Sequence, residues 1–303
     1  MAILNNTLKV VIFGAGQAGE AALKYLASSG QQVMAFFDND ETKSGMSIDG
    51  IPILHTTELP SYDFDEIYIA SEYLEQIEQQ LIKDFAIDVN KIKLLSASAI
   101  KHISLGQDTK TTALAESILL LICNVLRQEN ILYYVDAGTL LGIIRDQQLI
   151  PWDDDLDIAI AATDHEACYQ IISATLPELN ALTGVDYQLH KLYSTQNFGA
   201  VKVGDLRSFK LVPINPNEKK PLLDVFIKYK SAEVMDYVIA SRGFRMPVEH
   251  IENLEWHEFK GQKISIPGQV ELYLERHYGD WRTPVKEWNL GLLKNTTVFG
   301  INK

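Results

Sequence analysis

Residues 133–160 read YYVDAGTLLGIIRDQQLIPWDDDLDIAI, and this stretch decides the fold. Asp153, Asp154, Asp155 and Asp157 place four carboxylates within five residues, running into an apolar tail. The tail alternates acid and hydrophobe. In a strand, side chains at i, i+2 and i+4 share one face. That period puts Asp153, Asp155 and Asp157 on one side and Leu156, Ile158 and Ile160 on the core side, with Asp154 turned away. Carboxylates this dense repel one another unless a positive group joins them, and a divalent cation is the economical choice. An EF-hand loop starting at Asp153 needs Gly at its sixth position and Glu at its twelfth. Ile158 and Asp164 stand there instead. A helix-capping role for the acids fits the alternation less well than a strand does.

Upstream, Ile131–Val135 reads as a strand of β-branched and aromatic residues. Gly138-Thr139 then lets the chain turn into a short helix, Leu140–Arg145. Before the strand, a helix capped by Thr111 or Thr112 and reaching about Asn130 carries Leu114, Ile118, Leu121, Ile122 and Val125 on its buried side. Downstream, LLDVFI at residues 222–227 sets a lone Asp224 in an apolar strand. A buried unpaired carboxylate costs several kcal/mol, so Asp224 needs a partner: the metal site, or a nearby Lys or Arg. His190, His250, His257 and His277 lack ligand spacing. Trp256, Trp281, Trp288, Tyr273 and Tyr278 read as core or pocket wall.

A glycine turn after one strand, then an acid–hydrophobe–acid pair on the next, is the pattern of the nucleotidyltransferase fold. GTLLGIIRDQQLIPWDDDLDIAI resembles the signature of the LicD family, which includes the fukutin-related enzymes. LLDVFIKY, and Ile266-Pro267 followed by Tyr273-Leu274 and Tyr278-Gly279-Asp280-Trp281, resemble its later motifs. The likeness spans roughly residues 115 to 285. It implies an α+β catalytic domain over 112–303. It also implies transfer of a phospho-alcohol, such as phosphocholine from CDP-choline, from a CDP-linked donor to a glycan hydroxyl in surface polysaccharide synthesis. Asp155 and Asp157 would then ligate Mg²⁺, or Mn²⁺ in its place. Asp224 would be third ligand or general base, and Asp153 the second choice of base. Gly138 and Thr139, at a helix start, would cradle a phosphate. Arg145 and Lys202 are the candidate phosphate-binding cations, with an ion pair and a solvated lysine as their plainer readings. Some relatives carry a zinc site, for which no Cys or His cluster is seen here. A nucleotidyltransferase using an NTP, and a non-catalytic module sensing a nucleotide-sugar, stay open as alternatives.

The first third of the chain reads differently. Leu8–Phe13 is a short apolar run followed by Gly14, Gly16 and Gly19 in a GxGxxG turn. A helical pattern follows, then the strand Val33–Phe37, closed by Asp38. Strand, glycine turn, helix, strand and acid make up the dinucleotide-binding pattern, in which the helix N-terminus receives phosphate and the acid the ribose. Gly14, Gly16, Gly19 and Asp38 are therefore candidate nucleotide-binding residues, for NAD or a nucleotide-sugar. Close packing of strand on helix would also call for these glycines. The alternation continues to residue 95 and predicts a parallel, doubly wound sheet. FFDNDETKSGMSIDGIPIL resembles the Rossmann-like domains fused to enzymes of surface-sugar biosynthesis. No hydride-transfer pair accompanies it: four residues after Tyr25, Tyr62, Tyr68 and Tyr73 stand Ser29, Glu66, Glu72 and Ile77, none a Lys.

The boundaries follow as a Rossmann-like domain over 1–104 and the catalytic domain over 112–303, with the polar stretch 106–112 as linker or helix-capping loop. At 303 residues and 47% hydrophobic content there is material for two cores. The net charge of −13 argues against nucleic acid or an anionic membrane as partner. Cys123 and Cys168 are too few for a disulfide framework. The start lacks a signal-peptide pattern, and the most apolar window, Ser117–Val125, is short for a membrane span. A cytoplasmic enzyme is expected, with self-association into a homo-oligomer left open.

Overall fold

The computed structural model describes residues 8–96, 99–101, 103–215, 218–285 and 288–299. The chain divides into two compact units. One comprises the residues before Ile103 with short C-terminal stretches; the other comprises Ile103–Val285 and Leu292–Thr297.

The first unit contains β1 (Val10–Phe13), α1 (Gln17–Ser28), β2 (Val33–Asp38), β3 (Ser47–Ile48), β4 (Ile51–His55), β5 (Glu66–Ile69), α2 (Leu74–Lys83) and β6 (Ile92–Leu94). Its sheet runs β3-β4-β2-β1-β5-β6. All neighbours are parallel except the β3–β4 pair. Two separate cores lie on its faces, because successive strand residues point to opposite sides. Val10, Ile12 and Phe36 pack with Ala22 and Leu26 of α1. Val11, Phe13 and Phe37 pack with Ile77 and Leu81 of α2. This is the doubly wound arrangement expected from the alternation of strands and helices.

The second unit contains α3 (Thr109–Gln128), β7 (Tyr133–Val135), α4 (Ala137–Asp146), β8 (Asp155–Ala161), α5 (His165–Thr183), β9 (Tyr187–Tyr193), β10 (Leu206–Pro213), β11 (Leu222–Lys230), β12 (Val234–Ile239), β13 (Arg242–Pro247), α6 (Glu249–Glu252), β14 (Glu255–Phe259), β15 (Gln262–Ile266) and α7 (Val270–Tyr278). β11 is the central strand. It is flanked by β8 in parallel and β10 antiparallel, and its last two residues, Tyr229 and Lys230, pair with β12. β7 adds antiparallel to β8, and β9 antiparallel to β10. Leu156, Ile158 and Ile160 are fully buried in one core with Ile118, Ile122 and Leu126 of α3 and Ile172 and Leu179 of α5.

Helix α3 starts earlier than the threonines suggested. Asp108 is its cap, its carboxylate accepting the Thr111 N–H at 2.7 Å. Thr109–Thr112 are therefore helical, and of the stretch read as linker or helix-capping loop, Asp108 is the residue that caps. Gly106 lies against Pro151, where a Cβ would come within 2.5 Å of the proline Cβ. At 20 residues, α3 is also longer than its most apolar window, and it is long and apolar enough to cross a membrane by length and composition. Its face of Ala115, Ile118, Leu119, Ile122, Cys123 and Leu126 is buried in the unit's core. Trp256, read as core or wall, is 59% exposed, while Tyr273 and Trp281 are buried.

Candidate active site

Parallel pairing of β8 with β11 puts Asp157 in register with Asp224. Adjacent strands in register lie about 5 Å apart, with directly opposed side chains on one face. Asp155 stands two residues before Asp157 on that face. Carboxylate oxygens of Asp155, Asp157 and Asp224 all lie within 4.8 Å of one another. Asp153, Asp154 and Asp155 form a second such group. Asp153 precedes the strand instead of lying in it. Asp154, expected to turn away, is buried with its carboxylate in that second group.

The turn from β7 into α4 closes the site, and it is built differently from the sequence reading. The left-handed residue is Ala137, with φ 45°. Gly138 is required for another reason: a Cβ there would lie 2.5 Å from Asp153 Oδ2 and 3.7 Å from Asp157 Oδ2. Thr139 fixes Asp157 by its hydroxyl, which accepts the Asp157 N–H at 2.8 Å. The Thr139 N–H points back at Asp157 Oδ2 at 3.4 Å. Asp136, at the helix N-cap, accepts the Ala137 N–H at 2.8 Å, and its own N–H donates to the Asp157 carbonyl at 3.0 Å.

Charge dominates this cluster. Burial pushes Asp157 well above the usual carboxylate range, and the neighbouring charges of Asp155, Asp153, Asp224 and Asp136 push it further. A cation touches the cluster directly: Lys210 Nζ lies 2.9 Å from Asp224 Oδ2. The Lys-or-Arg partner and the carboxylate cluster, weighed as alternatives for Asp224, are thus both present.

Behind the cluster lies a buried network that the sequence reading missed. Lys228, fully buried on β11, reaches Asp136 Oδ2 at 2.7 Å. The Tyr273 hydroxyl donates to Asp136 Oδ1 at 2.6 Å. Burial alone would raise Asp136; Lys228, His277 and Tyr273 outweigh it and hold the group below the ordinary carboxylate value. Lys228 sits over the Tyr237 ring, 3.1 Å from its centroid, and the Tyr237 hydroxyl meets His277 Nε2 at 3.0 Å. Burial, with Lys228 adding to it against the pull of Asp136, lowers His277 to about 4.

Arg145 Nε and Nη2 clasp the Asp146 carboxylate at 2.7–3.0 Å. Lys202 Nζ donates to the Gly199 carbonyl at 2.9 Å. In the first unit, Gly14 takes φ 107°, and a Cβ there would lie 2.6 Å from the Ala70 carbonyl oxygen. A Cβ on Gly19 would collide with the Gly14 carbonyl oxygen, whereas one on Gly16 would meet nothing within 4 Å. Asp38 accepts the Ala15 and Asp40 N–H groups at 2.8 and 2.9 Å and pairs with Lys43 at 2.9 Å.

A mixed sheet carrying a carboxylate trio beside a strand–turn–helix defines the second unit as a nucleotidyltransferase-type domain. The family model described as LicD/FKTN/FKRP, nucleotidyltransferase domain, matches residues 130–269 of this chain. A model described as C2185-like, N-terminal, matches residues 6–93. Protein RP689 of Rickettsia prowazekii is 26% identical over 217 residues, covering 69% of this chain and 65% of that protein. The ribitol-5-phosphate transferase FKTN of Homo sapiens is 26% identical over 180 residues, covering 58% of this chain and 34% of that one. The chain thus spans less than two thirds of the length of these relatives. Among solved structures, ANT(2″)-Ia aligns over 58% of this chain and 81% of its own at 12% identity, with a TM-score of 0.33.

Proposed function

We propose that the second unit is a metal-dependent transferase that moves a phospho-alcohol from a CDP-linked donor to a glycan hydroxyl. The observation that carries the reading is the register of Asp157 with Asp224, which gathers three carboxylates within 4.8 Å. Carboxylate oxygens suit a hard divalent cation, Mg²⁺ or Mn²⁺. Burial and the neighbouring carboxylates both disfavour ionised Asp157, and such an ion would relieve that condition. Asp155, Asp157 and Asp224 would hold it, and when bound it neutralises phosphate charge on the donor. The rest falls to the chain's own groups. Thr139 and the Asp136 cap hold the β7–α4 turn in place beside Asp157. Gly138 leaves room for the Asp153 carboxylate, and with Thr139 at the start of α4 it would receive a phosphate. Asp224 or Asp153 takes the proton of the acceptor hydroxyl, whose pKa is too high for it to ionise unaided.

The family domain and the likeness to a ribitol-5-phosphate transferase support a phospho-alcohol as the transferred group. Choline, ethanolamine, glycerol and ribitol phosphates all satisfy the chemistry. A role in capsule or lipooligosaccharide synthesis inside the cell follows from the same reading. For the first unit we propose a nucleotide or nucleotide-sugar subsite at the glycine turn. The open space at Gly16 supports it, while Asp38 is already committed to Ala15 and Lys43.

The decisive experiment offers a panel of CDP-alcohols with Mg²⁺, with and without glycan acceptors, and follows CMP release. Acceptor-dependent CMP release is expected. Pyrophosphate release from an NTP, with every CDP-alcohol left intact, would sink the proposal in favour of nucleotidyl transfer.

A further inference from the structure

The carboxylates do not end the polar surface on their side of the sheet. Register carries it across four strands. Asp157 on β8 opposes Asp224 on β11, Asp224 opposes Lys210 on β10, and Lys210 opposes His190 on β9. Directly opposed residues in neighbouring strands project from the same face. Asp157, Asp224, Lys210 and His190 therefore form one continuous row. The opposite face is apolar: Leu156, Leu223 and Leu211 are fully buried, and Leu189 packs partly buried against the same core. The row is thus two anions, then an ammonium, then an imidazole.

We propose that Lys210 and His190 are substrate-binding residues, receiving an anionic phosphate group of the donor along the row that begins at Asp157. This deepens the transferase reading and rests on it. A diphosphate approaching a cluster of carboxylates needs positive charge on its outer side as well as between the carboxylates. Lys210 meets the requirement by position, since its ammonium is 2.9 Å from Asp224 and its side chain is 23% exposed. Arg145 and Lys202 hold Asp146 and the Gly199 carbonyl, whereas the partner of Lys210 is a member of the carboxylate cluster itself. His190 is exposed one strand further on, about 5 Å beyond Lys210 by strand spacing, where its ring N–H meets the next group along the donor. The pairing of Lys210 with Asp224 keeps the ammonium extended toward the cluster.

The competing explanation is that Lys210 only balances Asp224. Calorimetric titration of the full chain separates the two, using pyrophosphate and CDP as probes at saturating Mg²⁺, and Mg²⁺ alone. Loss of a charge-assisted contact predicts that Lys210→Met weakens both phosphate probes about ten-fold or more, with Mg²⁺ bound at least as tightly as before. Lys210→Arg restores most of the loss, and His190→Gln weakens CDP about three-fold or more. Wild-type affinity for both probes in Lys210→Met overturns the assignment of Lys210, and unchanged CDP binding in His190→Gln overturns that of His190. If Lys210→Met does not fold, Lys210→Arg against Lys210→Gln makes the same comparison. Wild-type protein that binds pyrophosphate but not CDP refutes the CDP-donor reading and leaves the phosphate row standing. Protein that binds neither overturns both.

Discussion

Lys228 and Asp136 form an ion pair of 2.7 Å with both side chains sealed from solvent. The pair joins the central strand to the cap of α4, and so to the turn that holds Asp157. Removing one partner of a buried pair strands the other charge, at about 3–5 kcal/mol; replacing both by neutral groups of similar volume is far cheaper. Lys228→Met and Asp136→Asn should each destabilise by about that amount, and the double variant should recover most of it. Denaturant unfolding of all four proteins checks this. Equal losses that simply add would show that the two residues are not energetically coupled. The double variant should still lose activity, because Asp136 is the carboxylate that joins the Tyr273 hydroxyl to the Ala137 N–H of the β7–α4 turn.

The carboxylate trio should be a source of instability until its charge is neutralised. Asp157 is raised by burial and then by four neighbouring acids. Its folded-state pKa therefore lies above the unfolded value, so its ionisation opposes folding above that range and the penalty fades as pH falls toward the unfolded value. Asp157→Asn should raise the Tm of metal-free protein while abolishing transfer. Mg²⁺ or Mn²⁺ should raise the Tm of the wild type, by about 3 kcal/mol of stability at a hundred-fold excess over Kd, and leave that of Asp157→Asn unmoved. A thermal scan with EDTA and with each ion decides it. A Tm that falls in Asp157→Asn would show that the carboxylate is neutralised within the protein itself.

The legible parts of the site are those that local periodicity controls. Asp155 and Asp157 alternate with Leu156 and Ile158 along one strand, so their shared face was readable, and Asp224, alone in an apolar run, was readable as a carboxylate in need of a partner. Asp136 and Lys228 carry no local signal of their pairing: one follows a short strand and the other ends an apolar run. Only the parallel β8–β11 pairing and the packing of α7 make them partners, 92 positions apart in the chain. The Lys210–His190 row depends likewise on the β9–β10 register. Arg145 was drawn toward the site by its position on α4, but the adjacent Asp146 satisfies it locally. The glycine at 138 was readable as necessary, though for the wrong reason: the unusual backbone is at Ala137, and the glycine makes room for Asp153.

That distinction separates two glycines on the same helix. A Cβ on Gly138 meets the end of a side chain, Asp153 Oδ2, at 2.5 Å. A Cβ on Gly142 meets backbone, the Gln148 carbonyl oxygen at 2.6 Å and the Ile150 nitrogen at 2.9 Å. Side chains rotate away at modest cost, whereas backbone in a packed turn does not. Gly138→Ala should cost about 1 kcal/mol or less of stability and reduce turnover ten-fold or more. Gly142→Ala should cost about 1–3 kcal/mol while the residual folded protein keeps its turnover. Paired measurement of unfolding free energy and kcat tests the contrast, and a reversed ranking would refute it.

His277 should set the acid limb of the stability curve. Burial, with Lys228 against Asp136, lowers it from 6.5 to about 4. The folded state thus holds the ring neutral where the unfolded chain already takes up a proton. Below pH 6.5 the unfolded state binds the extra proton, so stability falls as pH falls, until both states are protonated below about pH 4. The full shift corresponds to about 3 kcal/mol. In His277→Gln, which keeps a polar group near the Tyr237 hydroxyl, the slope of unfolding free energy between those two pH values should flatten. The remaining slope belongs to carboxylates such as Asp136, which is lowered in the fold and loses its contribution only as pH drops through its own folded value. Parallel slopes in wild type and variant would show that the imidazole is protonated to the same extent in the folded and unfolded chains.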